Sequence, residues 1–183
     1  SCAMFVSLEI MKEWKLEGVS GPEGPSLQSG NAGDEKEARN KAVYYLQFSS
    51  KTEWELRKKL AEQGFLPASV DSAIRFVKAH RYLDDGEYAA RYIERNQRKK
   101  SRKQMVFELR QKGIDEETLN AAFEENPVDE EEQILRLLEK KGYRGEEAER
   151  EEKQKISAYL ARKGFAYEAI QRAMINYARK NRD

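Results

Sequence analysis

Gly64, Gly113 and Gly164 stand 49 and then 51 residues apart, and the chain around each reads alike over fifteen positions. Leu60 leads through Gly64-Phe65 and Val70 to Ala73-Ile74. Leu109 leads through Gly113-Ile114 and Leu119 to Ala122-Phe123, and Leu160 through Gly164-Phe165 and Ile170 to Ala173-Met174. A fixed period of this length marks a repeat architecture, in which one supersecondary unit is stacked on copies of itself. Each glycine follows an apolar-periodic segment, where a helix end calls for a left-handed residue. The apolar residue after it is placed to fold back onto the finished helix, and the small alanine nine residues beyond the glycine lets the next helix approach closely.

The starts of the helices repeat too. Thr52-x-x-Glu55 and Ser101-x-x-Gln104 have the form of capping boxes, each opening twelve residues before its glycine. The third copy has Glu152 at that place, a weaker start. Asp34-x-x-Glu37, Asp84-x-x-Glu87 and Asp129-x-x-Glu132 read as N-caps of a preceding helix in each unit. Eight and nine residues beyond each Asp, Ala42-Val43, Tyr92-Ile93 and Leu137-Leu138 continue an apolar stripe on one helix face. Each unit therefore reads helix, helix, glycine, helix. The expected helices are 35–48, 53–63 and 67–80, then 85–98, 102–112 and 116–125, then 130–141, 153–163 and 167–180. Tyr143–Glu149 is an insertion in the third unit. The expected fold is all-α, three tandem three-helix repeats at 34–82, 83–127 and 128–183. A non-repeat arm at 1–33 precedes them, in which Val6, Leu8 and Ile10 alternate as in a short strand before a Gly/Pro-rich linker.

Counting narrows the chemistry. One cysteine (Cys2) and one histidine (His80) leave no internal disulfide and no Cys/His metal site, so neither metal nor cofactor is expected. No apolar run reaches the ~20 residues of a membrane span, and Glu9, Lys12 and Glu13 interrupt any signal-like layout. A cytoplasmic monomer without membrane attachment is the expectation. No Gly-rich phosphate loop follows a strand, and no nucleophile is paired with a base, which points to binding and away from catalysis. Asp84-Asp85 reads as an N-cap and a first-turn acid, and His80 as a residue at a helix end.

With 34 basic and 33 acidic residues the net charge is only +1, so any polyanion-binding surface must come from local segregation. Such segregation is present. From Arg91 to Lys112 the bases are Arg91, Arg95, Arg98, Lys99, Lys100, Arg102, Lys103, Arg110 and Lys112, against Glu94 and Glu108 alone. From Asp115 to Glu132 there are nine acids and no base. A phosphate- or acid-facing patch at Arg91, Arg95, Arg98, Lys99, Lys100, Arg102 and Lys103 is one reading, and a charged solvent face that suits the helix dipoles is the other. Trp54 stands where the other units have lysines, so Trp54 with Arg57, Lys58 and Lys59 is a candidate partner contact. The tyrosines at 44, 45, 88, 92, 143, 159 and 177 fall mostly at the apolar phase, which favours packing over base stacking.

The segment Arg81–Arg95 (Arg-Tyr-Leu-Asp-Asp-Gly-Glu-Tyr-Ala-Ala-Arg-Tyr-Ile-Glu-Arg), with Phe107–Ile114 after it, resembles the central signature of the RecX family, bacterial regulators of the recombinase RecA. Thr52–Leu60 and Gly64-Phe65 resemble that family's first-repeat segment, and the likeness spans about residues 38–181. The chain departs from it in carrying Ser49 and Lys51 near the first cap, where members usually have an arginine. The resemblance implies a curved nine-helix protein that binds RecA filaments on DNA and inhibits strand exchange and ATP turnover. A stand-alone helical DNA-binding protein and a helical-repeat protein–protein scaffold remain as alternatives.

Overall fold

A computed structural model describes residues 32–180, and the strand expected at Val6–Ile10 lies outside them. The described residues form nine α-helices and no strand. They are α1 (Ala32–Phe48), α2 (Glu53–Glu62), α3 (Pro67–Ala79), α4 (Asp85–Asn96), α5 (Arg102–Gln111), α6 (Glu116–Glu125), α7 (Glu130–Lys140), α8 (Arg150–Arg162) and α9 (Tyr167–Lys180).

Most helices begin where the caps place them. Thr52 accepts from the Glu55 N–H at 3.2 Å, and the Glu55 carboxylate accepts from the Thr52 N–H at 3.1 Å, completing the box. Ser101 forms only half of one. It accepts from the Gln104 N–H, while the Gln104 side-chain amide donates to Glu108 at 3.1 Å. Asp84, Asp115 and Asp129 each accept an N–H three residues on, at 2.8–3.0 Å. Asp34 differs. Helix α1 runs back to Ala32, so Asp34 lies inside its first turn and accepts from the Ser69 hydroxyl. Helix α8 begins at Arg150, three residues before the expected start, because the insertion folds into a 3₁₀ turn (Gly145–Glu147) that feeds directly into it.

The chain divides into two compact units. One reaches to Tyr88 and takes in Lys112–Ile114; the other holds Ala89–Gln111 and the residues from Asp115 on. In the first unit, α1 and α3 meet through Ala38, Ala42, Ser69, Ser72 and Ala73, all small and buried. Close approach of two backbones buries the serine hydroxyls, which must then be satisfied. Asp34 and Glu35 accept from them, and Arg39 donates to Ser72 Oγ at 2.7 Å. Leu56, Leu60, Phe65, Ile74 and Val77 fill the core alongside.

In the second unit Ile134, Leu138, Leu160, Ile170 and Met174 form the corresponding core of the third repeat, joined by Tyr143 and Ala148 from the insertion. The insertion is thus packed structure, with two of its side chains in the core. Ile93, Met105, Leu109 and Leu119 are buried in the middle repeat. The residue after each repeat glycine (Phe65, Ile114, Phe165) is buried as its position predicts, as is the alanine nine residues beyond each glycine.

Candidate nucleic-acid interface

The basic junction between α4 and α5 is held by a device that occurs twice. Thr52 and Ser101 are both fully buried. Besides capping its own helix, the Thr52 hydroxyl donates to the Lys112 carbonyl at 2.6 Å, in the first unit. The Ser101 hydroxyl donates to the Lys163 carbonyl at 2.8 Å, in the second. Lys112 and Lys163 each immediately precede the next repeat's glycine, so the cap of one middle helix latches the end of the following one. A second bond accompanies each latch. The Glu53 N–H donates to Asp85 at 2.8 Å, and the Arg102 N–H to Glu130 at 3.1 Å. Helix N-termini leave such N–H groups without partners in the helix itself, and an acid from the next repeat supplies one.

The two latched turns explain why glycine is needed there beyond its backbone angle. A Cβ on Gly113 would lie 2.3 Å from Trp54 Cβ, and one on Gly164 would lie 2.7 Å from Ser101 Oγ. Gly64 has an equally left-handed φ of +89° but meets nothing within 4 Å. In the third repeat Glu149 caps α8 without a side-chain bond, and Glu152, at the latch position, bonds Arg144 instead.

The latch fixes Ser101 and so presents the basic segment before it. The chain from α4 folds tightly through that segment, with the Lys99 and Lys100 amides donating to the Asn96 carbonyl at 2.8 and 2.9 Å. The Gln133 side chain ties down the Lys100 carbonyl at 3.1 Å. Among the seven patch residues, Lys100 is engaged internally, its ammonium 2.6 Å from Glu108 and 2.9 Å from the Tyr92 hydroxyl. Arg91 is half-buried, whereas Arg95, Arg98, Lys99, Arg102 and Lys103 are exposed. These five carry no ion pair among the described residues; Arg102 lies over the Phe123 ring at 5.0 Å. Arg110 and Lys112, the far end of the basic run, pair with Glu116 and Glu55.

The acidic run is used largely for structure. Asp115 and Asp129 cap helices, Glu130 receives the Arg102 N–H, Glu131 accepts from Asn176, and Glu132 pairs with Arg136. Of the basic half of the charge dipole read along the middle repeat, five exposed cations clustered at one helix junction carry no ion pair among the described residues. Exposed Phe107 shares a groove with Arg102, Lys103 and Arg110.

The Trp54 set divides. Trp54 is 48% exposed, with its Cβ and Cγ over Gly113 and the Lys58 ammonium 5.4 Å from its ring. Arg57 turns to Glu53 at 3.0 Å and Asp71 at 2.5 Å, and the Asp71 hydrogen bond holds its guanidinium above the usual range. Lys59 faces Tyr45 instead. Of the tyrosines, Tyr143 is buried and Tyr45, Tyr159 and Tyr177 pack half-buried against the cores. His80 is the exposed C-cap residue of α3, its Nδ1 2.9 Å from the Phe76 carbonyl.

The spacing of α1 carries a further surface feature. Beside the buried stripe of Ala38, Ala42 and Val43 lie Lys41, Tyr44, Tyr45 and Phe48 at i, i+3, i+4 and i+7, one helical face. Their counterparts fifty residues on are Arg91, Glu94, Arg95 and Arg98.

Known proteins agree on the family. Models of the first, second and third three-helix domains of RecX match residues 38–76, 84–122 and 129–174. The regulatory protein RecX of Pectobacterium atrosepticum is 36% identical over 145 residues, covering 79% of this chain and 88% of that protein. That of Bacillus licheniformis is 27% identical over 183 residues, covering 94% and 67%. In fold, the chain is similar to a crystal structure of RecX from Lactobacillus salivarius, with a TM-score of 0.72 at 24% identity, over 80% of this chain and 98% of that one.

Proposed function

The chain belongs to the RecX family of regulatory proteins, and on that premise we propose that it binds the RecA–DNA filament and inhibits the recombinase's strand exchange and ATP turnover. The observation that supports a polyanion contact is the cluster of exposed, unpaired cations at the α4–α5 junction, Arg95, Arg98, Lys99, Arg102 and Lys103. Five exposed cations gathered at one helix junction without a carboxylate partner among the described residues fit phosphates or an acidic protein face. DNA recognition of this kind is sequence-independent, because backbone contacts carry no base information.

A repeat array suits a helical filament, since equivalent faces recur along both. The chain acts as a regulator in this reading and needs no cofactor. The decisive measurement is the DNA-dependent ATPase of RecA with the purified chain added at low molar ratio. Inhibition is the expected result; undiminished turnover under conditions where the filament itself is stable overturns the reading. Charge reversal at Arg98, Lys99 and Lys103 separates it from a pure protein scaffold, which would keep its partner after the change.

A further inference from the structure

The α1 face and the loop after it gather cations and aromatic rings. Lys41 reaches over two rings, 5.6 Å from the Tyr44 centroid and 5.8 Å from Tyr45. Lys59, arriving from α2, lies 5.1 Å from Tyr45. Phe48 closes the row edge-on to Tyr44 at 4.9 Å and is 72% exposed, the most open large apolar side chain among the described residues. Lys51 sits in the loop beyond, its ammonium donating to the Ser49 hydroxyl at 2.5 Å. Burial and the nearby charges of Lys59 and Lys112 hold Lys51 below the ordinary lysine range, although Glu55 opposes them.

Of the acids near this cluster, Glu55 is already paired with Lys112 at 2.6 Å, and Glu62 acts on Tyr45. Lys51 and its neighbours Lys59 and Lys112 repel one another, and an arriving anion relieves that repulsion. A large ring left exposed at the end of a helix adds nothing to the core, yet offers a π-face.

We propose that Lys41, Tyr44, Phe48, Lys51 and Lys59 form a binding site for single-stranded nucleic acid, with bases stacked on Phe48 and Tyr44 and phosphates met by the lysines. Duplex hides its base faces, so stacking selects the single strand. This inference rests on the nucleic-acid half of the proposed function and is independent of the recombinase. None of the site's five residues belongs to the α4–α5 patch.

The test is fluorescence anisotropy of the full chain with labelled oligo(dT) and with a duplex of equal length. Phe48→Ser removes an exposed ring at a helix end, so folding is retained and is checked by circular dichroism. Oligo(dT) affinity is expected to fall at least about fivefold, and duplex affinity to stay within twofold. Lys51→Gln with Lys59→Gln is expected to make the oligo(dT) salt slope shallower by about 1.4, two contacts at ~0.7 each. Unchanged oligo(dT) binding in Phe48→Ser, or an equal loss for duplex, overturns the site while leaving the proposed function standing. Absence of any nucleic-acid binding by the unaltered chain overturns both the site and the DNA contact proposed at the α4–α5 junction. Loss of RecA ATPase inhibition alone touches only the proposed function.

Discussion

The Thr52 hydroxyl donates to the Lys112 main-chain carbonyl at 2.6 Å, across sixty residues of sequence. The same atom accepts from the Glu55 N–H, so one buried oxygen both starts a helix and ends another. Ser101 and Lys163 reproduce the arrangement across sixty-two residues. A hydroxyl is the smallest group able to donate and accept at once, and this explains why Thr and Ser, and not Asp or Asn, occupy these N-caps.

Thr52→Val keeps the shape and removes both bonds, leaving the Lys112 carbonyl and the Glu55 N–H without this partner. A loss of about 2–4 kcal/mol in unfolding free energy is expected, cap and buried acceptor together. Thr52→Ser should retain most of it. Urea denaturation of the three proteins measures this, and equal midpoints for valine and threonine would refute the latch.

Gly64→Ala and Gly113→Ala impose similar backbone strain, at φ +89° and +78°. Only the second drives a Cβ into Trp54. Gly64→Ala is expected to cost about 1–2 kcal/mol, and Gly113→Ala clearly more, since the obstructing atoms are Trp54 Cβ and Cγ, fixed close to the backbone. The two melting temperatures, compared side by side, should therefore separate.

Neutralising Arg98, Lys99 and Lys103 to glutamine should weaken duplex DNA binding and flatten its salt dependence. If each meets a phosphate, the slope of log affinity against log salt becomes shallower by about 2.7, at ~0.9 per contact. Lys100→Gln breaks the contact with Glu108 and should alter stability, by no more than about 1 kcal/mol for a half-exposed pair. An unchanged slope in the triple variant would place the DNA contact elsewhere.

Burial pushes the Glu53 carboxyl up, but hydrogen bonds from Lys78 and Arg57 outweigh it and leave the group below its ordinary value. A carboxylate lowered on folding contributes stability above its unfolded pKa of about 4.3, and loses that contribution as pH falls through the folded value. Acid unfolding should therefore set in below about pH 4, and Glu53→Gln should make the acid limb shallower while lowering stability at neutral pH. Denaturation midpoints between pH 2 and 7 decide it.

Much of the molecule follows from local sequence signals. Seven of the nine described helices start within one or two residues of their caps or Pro67, or as the apolar stripes require; the exceptions are α1, which begins at Ala32, and α8, which begins at Arg150. Both of these exceptions have a cause beyond the cap residue itself: Asp34 is taken by Ser69 of α3, and the insertion turns straight into α8. The candidate patch was legible as a count of charges, but not as a surface. Whether Lys100 faces Glu108 or solvent, and whether Trp54 covers Gly113, depends on rotamers and on residues far away in the chain.

The sequence by itself determined the period, the three-helix unit, the glycine turns and the segregation of charge, because these rest on backbone preferences and hydrophobic spacing that act within a few residues. Tertiary structure alone decided that the Thr52 and Ser101 caps double as latches, which cations of the basic run stay unpaired, and that Lys59 meets Tyr45. Those outcomes need atoms placed to within a few tenths of an ångström across tens of residues, and no local pattern carries that information.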